Sequence, residues 1–504
     1  MNKFAKLLGF DPIQKKTSVK TELAAGMVTF LAMAYILTVN PNQIFGSTTN
    51  PYWASAFIAT ALGAVIGTLL MAFVAKVPLA QAPGMGLNSM LGGIIGGWAG
   101  YAAAFTPGQA FFLVLVSGLF FLALSVIKIK GKTFRELVFD GMPVAVRGAI
   151  SVGIGLFIAY IGFQNSGIIV YNGYTQVSFV DFTNWGEQFV NNLNPPTFAA
   201  KTAVVAFVGL FLISILDKLN VKGAIIFGIL GATVVGIPLG VTDLSVLSGD
   251  APGISWKFWE NFSNFFGGES SVFGSFLNVF KDEGFLPAGV SVFSAVMIVV
   301  TMSMIDMFDT MGTIVGCCAG NRILSDENNK PYGYGKIMLC DSIATCSGAM
   351  LGTSTVTTFV ESGAGVSAGG RTGLTAFSVA GLFFASMFAM PVFAVIPSAA
   401  TAAALIYVGV LMMKNNVKEI DLSNTINATS AFLTIVVMVL SYSITKGIGV
   451  GLISYTLMTL GAYIIDLVMY AFKKKEKPVW NVSVVAIIVT VLFCIYFFVP
   501  ATLF

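Results

Sequence analysis

The chain has 504 residues, of which 56% are hydrophobic and 10% charged, with a mean hydropathy of +0.86. A water-facing surface needs about a quarter of its residues charged, so a soluble domain is excluded. At about 20 apolar residues per crossing, the supply suffices for roughly fourteen membrane-spanning helices. The formal net charge of +4 is modest, but the basic residues are segregated. With the N-terminus in the cytosol, the inside positions are Lys3 to Lys20, Lys76, Lys128 to Arg147, Lys218, Lys222, Arg322 to Lys336, Arg371, Lys414, Lys418 and Lys473 to Lys477. Only Lys201, Lys257, Lys281 and Lys446 then lie outside, which is the positive-inside bias of a polytopic membrane protein and argues against nucleic acid as a partner.

The N-terminal segment, 1–21, is not followed by a short apolar run with a small-residue cleavage site, so the first apolar segment is expected to be an uncleaved span. Spanning segments follow near 22–40, 52–75, 107–127, 146–163, 201–216 and 222–241, then near 290–315, 336–352, 374–395, 397–414, 428–445 and 448–471. Two further runs, Gly84 to Gly97 and Thr355 to Ala368, are about 14 residues each; as helices they would rise about 21 Å and stop inside a hydrocarbon core of about 30 Å. The polar, aromatic-rich stretches Gln164 to Thr197 and Asp243 to Gly284 are expected as exterior loops. A last apolar run, Val479 to Phe498, either spans or lies along the interface.

The two halves repeat. GAVIGT at Gly63 to Thr68 recurs as GAMLGT at Gly348 to Thr353, and Pro143, Ala145, Ala149 and Gly155 align at constant offset with Pro397, Ala399, Ala403 and Gly409. Val28-Thr29 matches Val300-Thr301, and the two half-spans fall on each other at a similar offset. Seven segments per half is an odd number, so the second copy enters the membrane from the opposite side. This is the inverted-repeat plan of secondary transporters, in which broken helices meet at the substrate site.

Ionisable groups deep in lipid cost several kcal/mol and need a partner or a function. Asp306 and Asp309 lie three apart on one helix face, and Glu361 lies within the second half-span. Function is favoured over mere bundle cohesion for Asp306 and Glu361; for Asp309 both readings stay open. Asn88 closes the run Ala82-Pro83-Gly84-Met85-Gly86-Leu87-Asn88, where proline and two glycines make an irregular backbone; its amide can bind a ligand, cap the half-helix, or both. In the second half-span the hydroxyls, Thr358 among them, could bond the rim of a flat ligand, Phe359 could face its ring, and the Glu361 carboxylate could accept two N–H donors in parallel. Alternate threonines at 355 and 357 fit strand or helix packing equally well. No basic residue accompanies these acids, so the cargo is expected to be neutral or cationic. Five cysteines without a single histidine make neither a disulfide framework nor a mixed metal site, so no metal and no cofactor is expected.

The chain resembles the AzgA-like purine permeases of the nucleobase cation symporter 2 superfamily. The motifs that carry the resemblance are TELAAGMVTFLAMAYILTVNP (Thr21 to Pro41), APGMGLN (Ala82 to Asn88), DMFDTMGT (Asp306 to Thr313) and GTSTVTTFVESGAGVSAGGRTGL (Gly352 to Leu374). The resemblance implies an all-α, 7+7 inverted-repeat transporter whose third and tenth helices are half-helices. It implies core-domain helices over 22–134 and 289–395, gate-domain helices over 135–241 and 396–471, an exterior loop over 242–288, and a basic linker with an extra apolar segment over 472–504. It further implies Asp306 and Glu361 as purine-binding acids, Asn88 and Gly86 as site-shaping residues, and Asp309 as a coupling or supporting acid. Other branches of the superfamily carry a histidine one turn beyond Asp306, where this chain has Thr310.

The function expected is import of a purine nucleobase, hypoxanthine or guanine and by extension adenine, by proton symport through Asp306, Asp309 or Glu361, in the plasma membrane and without enzymatic activity. The alternatives are an anion transporter of the same fold or a membrane channel. A homodimer is left open.

Overall fold

The computed structural model describes residues 8–9, 15–97, 104–129, 132–133, 143–172, 174–186, 199–221, 223–248, 254–281, 283–318, 324, 332–472, 480 and 482–498. Ser18 caps the first helix, α1 (Val19–Met33), by accepting from the Thr21 amide. The expected span near 22–40 lies within one apolar helical run, Val19–Phe45; a short interruption of its hydrogen-bond ladder at Ala34 and Tyr35, which keep helical dihedrals while Leu37 N bonds Ala34 O at 3.2 Å and Thr38 N bonds Tyr35 O at 3.1 Å, separates α1 from α2 (Ile36–Phe45). Pro41 within α2 has no amide to donate, which weakens the helix over the turn that joins the two pieces.

The chain then forms α3 (Trp53–Leu70), a π-helical turn (Met71–Ala75), β1 (Gln81–Pro83) and α4 (Met85–Ile95). Next come α5 (Pro107–Val126), whose Thr106 and Gln109 form a reciprocal cap, the short strands β2 (Lys128–Ile129) and β3 (Lys132–Thr133), and α6 (Val144–Asn165). The hairpin β4 (Ile169–Asn172) and β5 (Gln176–Phe179) leads to α7 (Ala199–Lys218), α8 (Ala224–Gly236) and α9 (Phe258–Gly267). Both expected exterior loops therefore contain structure, a hairpin in one and a helix in the other.

The second half comprises α10 (Val292–Cys318), α11 (Tyr334–Leu351), β6 (Val356–Thr358) and α12 (Ser362–Ser367). It continues through α13 (Gly373–Ser386), α14 (Met390–Ala394), α15 (Ser398–Asn416), α16 (Thr425–Leu440) and α17 (Ile444–Ala471). A final helix, α18 (Val484–Phe498), runs antiparallel to α17: Gly449 makes room for Phe493 and Phe497, and the hydroxyls of Thr456 and Thr490 meet at 2.9 Å. Among the described residues seven helical segments are long and apolar enough to cross a membrane, beside shorter apolar helices.

The architecture is the 7+7 inverted repeat, and the equivalent residues of the halves meet. The half-spans pair as antiparallel strands, Gln81 opposite Thr358, Ala82 opposite Thr357 and Pro83 opposite Val356. Around this pair the repeated glycines leave room: a Cβ on Gly63 would lie 3.1 Å, on Gly67 2.8 Å and on Gly348 2.7 Å from the Val356 side chain. Elsewhere the matched glycines Gly155 of α6 and Gly409 of α15 pack face to face, and a Cβ on Gly409 would lie 2.5 Å from the Gly155 carbonyl.

Helices α2, α3, α10 and α11 pack against the strand pair and α13 packs on α1 and α3, whereas the helices expected as the gate, α6, α7, α8, α15, α16 and α17, pack on one another. Glu22, fully buried on α1, anchors the core. Its carboxylate accepts from the amides of Arg371 at 3.1 Å and Thr372 at 3.2 Å and from the Thr375 hydroxyl at 2.6 Å, so it holds the start of α13.

Candidate substrate site

Two interrupted spans bring their broken ends to one place. Pro83 and Gly84 cannot continue a helix, so α4 starts only at Met85, while the threonine-rich run before Phe359 is extended and helix resumes at Ser362. Backbone bonds lengthen the strand pair at both ends, Gly84 N to Thr355 O at 2.9 Å and Phe359 N to Ala80 O at 3.0 Å; the Ala80 amide donates to the Ser362 hydroxyl at 3.0 Å. The irregular backbone is thereby satisfied within the protein, as the membrane interior demands.

Glu361 stands at the N-cap position of α12 and is 6% exposed. The Tyr35 hydroxyl donates to its Oε1 at 2.6 Å, and its Oε2 has no hydrogen-bond partner among the described residues. Asp309 points toward the other broken end: a Cβ on Gly84 would lie 3.8 Å from its Oδ2. It also lies within electrostatic range of Glu361 and Asp341. Asp306 turns to α11, where the Thr345 hydroxyl reaches its Oδ2 at 2.9 Å and the Val356 carbonyl at 3.3 Å. Asp309 and Glu361 thus face the meeting point, while Asp306 reaches it through Thr345 and the strand.

The remaining residues singled out in the sequence surround the pair. Thr358 is buried, and its hydroxyl accepts from the Gln81 amide at 3.3 Å, while Phe359 belongs to the buried apolar core. Asn88 lies against the strand ends, its amide 3.5 Å from the Pro83 carbonyl and its Oδ1 accepting from the Ser354 hydroxyl. Gly86 faces α6 and α17: a Cβ there would lie 3.2 Å from Ile154 Cγ2 and 3.5 Å from Ile444 Cδ1.

Three side chains at this site escaped the sequence reading. Tyr35, inside the first apolar segment, donates its hydroxyl to Glu361. Asp341, fully buried on α11, accepts from the Gln81 amide at 3.0 Å and from the Thr310 hydroxyl at 2.7 Å; Thr310 also meets the Thr357 hydroxyl at 2.5 Å. A carboxyl inside an apolar segment is the same signal that drew attention to Asp306, and it was available for Asp341. Gln81 adjoins the APGMGLN motif and crosses to Thr358. Among the described residues no group of histidines, cysteines and acids is arranged to hold a metal ion.

An inverted repeat with a polar, carboxyl-lined crossing of two broken helices defines a carrier of the secondary-transporter type. The chain belongs to the permease family (Xan_ur_permease), whose sequence signature matches residues 20–450. It is 33% identical over 447 residues to the adenine permease AdeQ of Escherichia coli, covering 88% of each chain. With the guanine/hypoxanthine permease PbuO of Bacillus subtilis it shares 34% identity over 460 residues, covering 88% of this chain and 92% of that one. In fold it resembles the transmembrane domain of the cyanobacterial bicarbonate transporter BicA, with a TM-score of 0.57 at 15% identity over 85% of this chain and 97% of that one. The SLC26A9 structure gives a TM-score of 0.54 at 12% identity over 92% of this chain and 70% of that one.

Proposed function

We propose that this multi-pass membrane protein imports a purine nucleobase by proton symport, with its N-terminus in the cytosol of a plasma-membrane carrier. The observation that carries the proposal is Glu361, a buried carboxyl at the meeting of the two half-spans with one oxygen open and a tyrosine, not a cation, on the other. An open buried acceptor calls for an N–H donor, which a purine supplies in a flat, apolar frame. The permease relatives include proteins named for adenine and for guanine and hypoxanthine, which supports the same reading. An anion carrier fits poorly, since the charged groups nearest Asp309 are two further carboxyls.

In the mechanism we infer, a purine and a proton bind together from outside, the proton on Asp306, Asp309 or Glu361, where it relieves repulsion among the acids. The core then moves against the gate, with Gly86 sliding past Ile154 and Ile444, and loss of the proton inside releases the base. Uptake of labelled hypoxanthine, guanine and adenine into proteoliposomes, with and without an inward proton gradient, tests this. Accumulation only under the gradient, abolished in Glu361→Gln, is expected; gradient-independent uptake would refute symport.

A further inference from the structure

We propose that Tyr35 sets which purine is preferred, by claiming one of the two oxygens of Glu361; the inference rests on the purine reading above. Tyr35 sits at the interruption between α1 and α2 and is 2% exposed. Its hydroxyl is 2.6 Å from Glu361 Oε1 and 3.6 Å from the Met85 sulfur, so one side chain touches the first residue of α4 and the capping residue of α12. Glu361 Oε2 is left open.

A carboxylate with both oxygens free matches two parallel N–H donors. The edge of guanine that carries N1–H and the 2-amino group is such a pair, whereas the same edge of hypoxanthine offers N1–H alone. On this proposal the Tyr35 hydroxyl takes the Oε1 lone pair that faces the site, so that Glu361 accepts one ligand donor through Oε2, and that donor is common to both bases. The 2-amino group of guanine gains nothing at this carboxylate. Tyr35→Phe keeps the ring, gives up the contact of the hydroxyl with the Met85 sulfur and opens Oε1, and only a base with the second donor can fill it. Since a hydrogen bond to a charged group contributes about 1.5–3 kcal/mol, guanine gains roughly tenfold or more over hypoxanthine in the variant.

The test is competition by guanine and hypoxanthine against labelled hypoxanthine on the purified full-length chain, for wild type and Tyr35→Phe. The wild type is expected to bind the two bases with affinities within about tenfold of each other, and the variant to shift toward guanine by about tenfold or more. A folded variant with an unchanged ratio overturns the inference, because a merely structural tyrosine would weaken both bases alike. Should the variant not fold, the wild type still decides: a preference for guanine already well beyond tenfold means that both oxygens are in use, and it overturns the inference. A wild type that binds none of guanine, hypoxanthine and adenine removes the purine reading itself, whereas one that binds adenine alone overturns the inference and leaves that reading standing.

Discussion

A buried carboxyl must find donors for its oxygens, and Glu22 shows how completely the surrounding helices supply them. Two backbone amides and a hydroxyl converge on its oxygens. In Glu22→Gln one oxygen becomes an amide donor that opposes the N–H groups it replaces an acceptor for. A loss of about 2–4 kcal/mol is expected, read as a clear fall of the thermal midpoint in detergent; an unchanged midpoint would mean that the clasp contributes nothing. The same chemistry decides what was legible in the sequence. Asp306, Asp309 and Glu361 stand out because a carboxyl in an apolar run is costly wherever it points. Tyr35 does not, since tyrosine is ordinary in such a run, and the carboxyl that accepts from its hydroxyl lies 326 positions away in the chain.

Half-spans are legible because length is arithmetic: a run too short to cross, opening on Pro83 and Gly84, must stop midway. Strands β1 and β6 are not, because three residues carry no periodicity and their pairing depends on partners far away in the chain, from 273 positions for Pro83 with Val356 to 277 for Gln81 with Thr358. What the sequence does record is the space they need. Gly348 faces Val356 Cγ2 and the Ser354 carbonyl, where a Cβ would lie at 2.7 and 2.8 Å, while Gly461 on α17 has nothing within 4 Å. Gly348→Ala is therefore expected to destabilise by about 1–3 kcal/mol through overpacking against the strand, and Gly461→Ala to stabilise by about 0.5–1 kcal/mol through helix propensity alone. Melting the two variants beside the wild type checks both signs, and equal shifts would show that the strand pair tolerates a methyl group.

A carrier built from two packed bodies needs one kind of contact inside each body and another between them. Within the gate, Gly155 and Gly409 bring backbone against backbone, and no side chain can yield to a substituent there. Between the proposed core and gate, Gly86 meets two isoleucine methyl groups, Ile154 Cγ2 and Ile444 Cδ1, rather than backbone, and side chains can turn aside. The repeated glycines of α6 and α15 were visible in the aligned halves, but their partner in space was not, since the alignment gives equivalence and the inversion gives contact. Substitution should separate the two kinds. Gly409→Val is expected to lower the thermal midpoint, losing about 1–3 kcal/mol or more, with uptake falling only in proportion to the folded protein. Gly86→Val is expected to melt with the wild type while its maximal uptake rate falls about tenfold or more, because a bulkier surface obstructs the sliding of core against gate and leaves each body intact. Comparable losses of midpoint in both variants would mean that the two bodies form one rigid unit, and the proposed motion would have to lie elsewhere.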